Sequence, residues 1–242
     1  MKNIILLIIS FAISNLCQAQ NDSITVPKWS YEVMFAPNVS YRILTSSGGE
    51  EWHKEDRNNA EVARFGYSIK IGIIRTLNDR WSIGSGLTYS RIGFKTKANP
   101  LTWATPNDDF PTELRSTSRY TYIGLPILAY YKLNEKSKWR PELIFGASIN
   151  MFLNKNVISE VKVNGDWISY PNEGFIYNEY NVFGHIGIGG SYRLSKRWLF
   201  KTSLIFNQSF TPTNSMSKTK EYLNYLGLNI GFNYRFAKSI NR

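Results

Sequence analysis

The chain has 242 residues and a formal net charge of +11, from 29 Lys and Arg against 18 Asp and Glu, with a single cysteine and seven tryptophans. Mean hydropathy is −0.30, and beyond the N-terminus nothing approaches the ~18 consecutive apolar residues of a membrane helix. The basic balance raises nucleic acid as a partner, but no run of Lys or Arg exceeds two residues and the chain begins with an export signal, so that class is set aside.

That signal is Lys2, the apolar stretch Ile4 to Ile13, polar Asn15 and small Ala19. It has the form of a secretory signal peptide over residues 1–19, cut after Ala19, which leaves residues 20–242 as one domain. Cys17 invites a lipoprotein reading, but Leu16 stands where that cleavage wants a small residue. Cys17 therefore leaves with the signal, and a secreted chain without cysteine must be held by its core, by sheet closure or by lipid.

From Trp29 to Leu44, Tyr31, Val33, Phe35, Val39 and Tyr41 share one parity, against Glu32, Met34, Ala36, Asn38, Ser40 and Arg42. A polar loop, 45–60, precedes a second strand with Phe65, Tyr67, Ile69, Ile71 and Ile73 against Arg64, Gly66, Ser68, Lys70 and Gly72. A tight turn at 77–79 leads to Trp81, Ile83, Leu87 and Tyr89, opposed by Ser82, Gly84, Gly86, Thr88 and Ser90. After a loop at 98–116, the fourth strand (117–133) is apolar on both parities, and Pro126 inside it points to a bulge or an edge.

Residues 134–137 turn into a fifth strand bearing Trp139, Leu143, Phe145 and Ile149 against Arg140, Glu142, Gly146, Ser148 and Asn150. In the loop 155–178, Asn164-Gly165 predicts a type I′ hairpin that projects beyond the main strands. The sixth strand sets Val182, Ile186, Ile188 and Tyr192 against His185, Gly187, Gly189, Ser191 and Arg193. The seventh sets Trp198, Phe200, Leu204 and Phe206 against Lys201, Ser203, Asn207 and Ser209. In the last, Leu226, Leu228, Ile230, Phe232, Tyr234 and Phe236 alternate with Gly227, Asn229, Gly231, Asn233 and Arg235.

Alternate residues of a strand face opposite ways, so each of these segments has one apolar and one polar face. Long loops and short turns alternate between them, the rhythm of an eight-stranded antiparallel up-and-down transmembrane β-barrel, all-β, with its apolar rows toward lipid. Each short turn ends in a basic residue and a tryptophan, Arg80-Trp81, Lys138-Trp139 and Arg197-Trp198. With Tyr234 and Phe236, Trp81, Trp139 and Trp198 make an interfacial girdle. Acids such as Glu55, Asp56, Asp109, Glu160 and Asp166 collect at the opposite, external rim.

The same parities put Glu32, Lys132, Arg140, Glu142, Arg193, Lys201 and Arg235 into the periplasmic half of the lumen. Eight strands leave an interior that side chains fill, so these charges form a plug and not a channel. Two acids among five bases leave surplus positive charge, which water, an anion or a shifted pairing must balance. His185 has no Ser, Thr or Asp paired to it on its own strand face, and no metal spacing, phosphate loop or cofactor motif occurs, so neither an enzyme nor a cofactor is expected.

The segment Tyr122-Ile123-Gly124-Leu125-Pro126-Ile127-Leu128-Ala129-Tyr130-Tyr131, followed by Pro141 to Gly146, resembles the PorT-like outer-membrane β-barrel family. The terminal run Asn229 to Phe236 is similar to the terminal-strand signal of outer-membrane barrels, although Ala237 to Arg242 follow it. The first strand lacks the glycines that the family pattern carries there. The resemblance implies the cell outer membrane, lipid as solvent and recognition by the barrel-assembly machinery through the last strand. Protein partners are expected at the external loops or the periplasmic rim, and one branch of the family assists an outer-membrane secretion system. The competing class is a soluble lipocalin-like binder, which would turn the same apolar rows inward.

Overall fold

The computed structural model describes residues 29–46, 51–104, 109–134, 138–172, 178–214 and 219–236. The expected signal peptide with its cleavage site, and Ala237 to Arg242, lie outside the described residues. The elements are β1 (Trp29–Ser46), α1 (Glu51–Ala60), β2 (Glu61–Thr76), β3 (Trp81–Thr96), β4 (Asn99–Pro100), β5 (Glu113–Lys132), β6 (Trp139–Val163), β7 (Asp166–Asn172), β8 (Tyr180–Arg193), β9 (Trp198–Ser209) and β10 (Thr219–Arg235).

All ladders are antiparallel. β1 pairs with β2 and with β10, and the sheet closes through β2–β3, β3–β5, β5–β6, β6–β8, β8–β9 and β9–β10. This ring of eight strands leaves no edge in the wall. The short β4 adds to β5, and β7 adds to the extension of β6. The β6–β7 hairpin turns at Asn164 (φ 51°) and Gly165 (φ 90°), the two left-handed positions that a type I′ turn requires.

The start of β1, the end of β10 and the short connections lie at one rim. There the Phe236 amide donates to Trp29 O, Arg235 to Arg197 O and Lys132 to Arg80 O. The long connections gather at the other rim, where the segment 45–60, expected as a loop, contains α1.

The apolar rows face outward. Val33, Ile71, Leu87, Ile188 and Leu228 all stay exposed, between 44% and 63%. A lipocalin cavity needs the reverse. The polar rows and one aromatic layer fill the inside: Tyr120, Tyr122, Phe183, Leu223 and Tyr225 pack with Ile92 and Phe94 in the external half. Leu128, Tyr130, Ile144, Ile74 and Ile205 pack nearer the periplasmic rim.

Strand β5 reads as apolar on both parities because its inward row, Tyr120, Tyr122, Leu128 and Tyr130, supplies much of this filling while Ile123, Leu125 and Ile127 face out. Pro126 marks neither a bulge nor an edge. It points inward on a strand paired on both sides, and the β3–β5 register passes it unshifted, from Ser85↔Ile127 to Thr88↔Gly124. The irregularity in β5 sits instead at Thr121 and Tyr122, opposite β6. Close strand approach is set by the Gly72↔Gly86 pair: a Cβ on Gly86 would stand 2.2 Å from Ile71 O and 2.5 Å from Gly72 Cα.

Candidate functional site

Strand alternation on β1, β2, β6 and β9 carries four charges to one level of the lumen. Glu32 Oε1 lies 2.5 Å from Lys70 Nζ, Glu32 Oε2 lies 3.0 Å from Lys201 Nζ, and Lys201 Nζ lies 3.2 Å from Glu142 Oε1. Tyr130 closes the group. Its hydroxyl accepts from Lys70 at 3.1 Å, and its ring lies 4.1 Å beneath Lys201 Nζ. Glu32, Glu142 and Lys201 are each at most 5% exposed.

The structure thus brings together three of the seven residues expected in the lumen network, Glu32, Glu142 and Lys201, and adds Lys70. Lys70 stands on the polar row of its strand two residues from Ser68 and Gly72, so parity alone could have found it. The other four form no part of this cluster. Lys132 Nζ donates to Asp79 O at the turn, 3.3 Å away. Arg235 lies in the electrostatic field of Arg140 and Arg193 at the periplasmic mouth, where Arg193 is exposed. The buried cluster is balanced, with two carboxylates and two ammonium groups; the surplus positive charge lies toward the mouth, where Arg193 is exposed and Arg140 and Arg235 are half-buried.

A second network, unforeseen as such, occupies the external half. Arg42 from β1 forms a bidentate pair with Glu61 and lies 2.5 Å from Glu221 Oε1. Arg57 on α1 reaches the same Glu221 oxygen at 3.1 Å, and the Tyr120 hydroxyl donates to the other at 3.2 Å. The pairing ties α1 to the mouth of the barrel. Arg42 and Glu221 were legible as charges on inward-facing rows; Glu61 and Arg57 lie where the strand pattern stops. Above them opens a vestibule of about 580 Å3, lined by both signs of charge, among them Arg42, Arg57, Lys155, Asp56, Glu61 and Glu221.

His185 is not alone on its face. Ser148 on the neighbouring β6 lies diagonally across the ladder, since Gly146 pairs with His185 and Ser148 with Phe183. The Ser148 hydroxyl lies 2.8 Å from Nε2, and Asn207 Oδ1 lies 2.5 Å from Nδ1. A single strand's parity cannot show a partner from the next strand. The order hydroxyl, imidazole, amide is that of a nucleophile, a base and an orienting group, but Ser148 is 5% exposed and its oxygen also accepts from Asn150 Nδ2 at 2.7 Å. The adjoining cavity, about 50 Å3, is bounded by His185 and Asn207 and not by Ser148. The arrangement is a satisfied polar bridge between β6, β8 and β9.

On the outer surface Trp81, Trp139 and Trp198 project at the periplasmic rim, 37–47% exposed. Trp81 packs on Tyr131 (4.8 Å between centroids) and Trp198 on Tyr234 (5.0 Å), with Phe236 against Tyr31 (4.7 Å). Trp29, Tyr31 and Tyr131 belong to the same band and were not singled out in the sequence.

A family model described as outer membrane protein beta-barrel domain matches residues 18–211. No curated protein matches the chain. Among solved structures it is similar to Neisserial surface protein A (NspA), at 15% identity over 86% of this chain and 97% of that one, TM-score 0.44. OprG from Pseudomonas aeruginosa is 12% identical over 87% and 96%, TM-score 0.44. The outer membrane protease OmpT from Escherichia coli is 8% identical over 90% and 100%, TM-score 0.41.

Proposed function

Since the chain belongs to the outer membrane protein beta-barrel domain family, whose place is the outer membrane, we infer that it serves there as a closed, non-conducting barrel that presents a binding mouth to the exterior. The observation that carries this reading is the filled lumen. The cluster of Glu32, Lys70, Lys201 and Glu142 and the layer of Tyr120, Tyr122 and Tyr225 occupy successive levels, and the midlevel cavity is only about 50 Å3. Eight-stranded walls enclose an interior just wide enough for side chains.

The vestibule of about 580 Å3 above the Arg42 network has the size of a ligand pocket and a mixed charge suited to polar groups. We take the external rim as the face for partners, and β10 as the strand read by the assembly machinery. Within the family, the Tyr122 to Tyr131 segment favours a PorT-like position.

Single-channel recording tests the central point. Purified protein in a planar bilayer should give no stepwise conductance in neutral salt. Sustained openings that disappear with a bulky residue at Gly227 would overturn the reading, because that lumen-facing position adjoins the midlevel cavity. Capture of partners from intact outer membrane, lost when residues 51–60 are replaced by a short linker, would place binding at the external mouth.

A further inference from the structure

Three guanidinium groups interrupt the apolar wall near its external end. Arg91 on β3 and Arg119 on β5 both point outward, because their chain neighbours Ser90, Ile92, Ser118 and Tyr120 are all buried on the inner face. Arg91 pairs with Thr121 and Gly93 with Arg119, so the two arginines are diagonal neighbours on adjacent strands.

Arg64 reaches them by a different route. Strict alternation would send it inward with Gly66 and Ser68. The β2–β3 register shifts between Ala63 and Tyr67, however. At this bulge Ser40 of β1 stands in for the broken ladder, accepting the Gly93 N–H at 2.8 Å and lying 2.8 Å from the Gly93 carbonyl oxygen. Bulges re-aim side chains, and this one turns Arg64 into the field of Arg91 and Arg119, beside Phe65, which is 80% exposed.

Gathering three like charges is unfavourable unless something answers them. Among the described residues no carboxylate pairs with any of the three. The nearby Glu160 is held by Arg115 through two hydrogen bonds, of 2.8 and 3.1 Å. Each of the three also buries an N–H that has no acceptor: Nη1 of Arg64, Nε of Arg91 and Nε of Arg119. No group among the described residues therefore compensates these donors, which leaves the charge of the cluster to be answered from outside the wall.

The height of the cluster identifies what fills it. From Trp81 to Arg91 strand β3 climbs ~26 Å, at a ~3.4 Å rise and ~40° tilt, which matches the apolar band of such barrels, ~25 Å. Tyr67, the cross-strand partner of Arg91, and Tyr89, two residues below it on β3, have ring centroids 6.3 Å apart, as interfacial aromatics do. The arginines therefore stand at headgroup level in the outer leaflet.

We propose that Arg64, Arg91 and Arg119 form a site on the outer wall for the phosphate of an outer-leaflet lipid headgroup, with guanidinium forks on the phosphate oxygens and the acyl chains along the wall below. The mature protein in detergent is incubated with a phosphorylated, acylated glucosamine disaccharide or with its dephosphorylated form, and retained lipid is read by native mass spectrometry. Wild type should retain the phosphorylated lipid about tenfold more, as expected for charge-assisted hydrogen bonds. Arg64→Gln/Arg91→Gln/Arg119→Gln should lose about that factor while its unboiled gel migration, which reports a closed barrel, stays unchanged.

Equal retention by wild type and the triple variant would overturn the proposal. So would displacement of the lipid by equimolar inorganic phosphate, which would make the site one for a free anion. If the triple variant fails to close, Arg91→Gln alone is held to the same direction: a clear loss of phosphorylated lipid supports the site, and no loss refutes it.

Discussion

At the scale of single residues, the Glu32 carboxylate holds the lumen cluster together, with a lysine on each oxygen. Removing one partner from a buried ion pair leaves the other uncompensated, at a cost of about 3–5 kcal/mol. Glu32→Gln should therefore destabilise the barrel by that order in urea unfolding from lipid vesicles. Glu32→Gln/Lys70→Met should recover part of the loss, and a neutral single variant would contradict the pairing. Parity alone exposed most of this site: Glu32, Glu142 and Lys201 fall on polar rows, and the structure brings them within contact. What parity could not give is depth and neighbour. It counted Arg193 with the buried charges although it sits at the open rim, and it left His185 without the Ser148 that comes from the adjacent strand.

At the scale of elements, the wall strands were legible because period-two alternation runs through most of them, β5 being the exception with apolar residues on both parities, and the Asn164-Gly165 turn was legible from its chemistry. Helix α1 was not. Glu51 to Ala60 carries no apolar stripe, so periodicity gives no helical signal; its link to the barrel is the Arg57–Glu221 contact, a tertiary effect. The bulge at Ala63 to Tyr67 was equally hidden, since it depends on three strands meeting.

The face assignment itself makes a paired prediction on β10. Leu228→Arg puts a cation at the lipid midplane for about 2–4 kcal/mol and should block assembly, whereas Asn229→Ser on the inner row should be tolerated. Equal assembly of the two variants would refute the faces.

The β6–β7 hairpin predicts a pH response. Arg115 donates two hydrogen bonds to Glu160, holding that carboxyl below the usual carboxylate range, and stacks 3.9 Å from the Trp167 ring. A depressed carboxylate pKa stabilises the docked hairpin fully above the ordinary value, about 4.3, and the contribution is lost as pH falls through the lower folded value. Trp167 fluorescence, isolated by subtracting Trp167→Phe, should change only below that ordinary value. A transition above it, or none in acid, would contradict the contact.

At the scale of the molecule, closure and solvent explain one another. A ring with no free edge satisfies its own backbone hydrogen bonds, the condition for strands to cross hydrocarbon. The outward rows, from Val33 to Leu228, are left uncovered by the described residues, while the inner rows are occupied by aromatic and ionic layers that leave little space. Transfer of residues 20–242, which omit the expected signal peptide, from denaturant into liposomes tests this most directly. It should insert, resist alkaline extraction and migrate as a compact band until boiled. A monodisperse monomer in detergent-free buffer that ignores the liposomes would contradict the account.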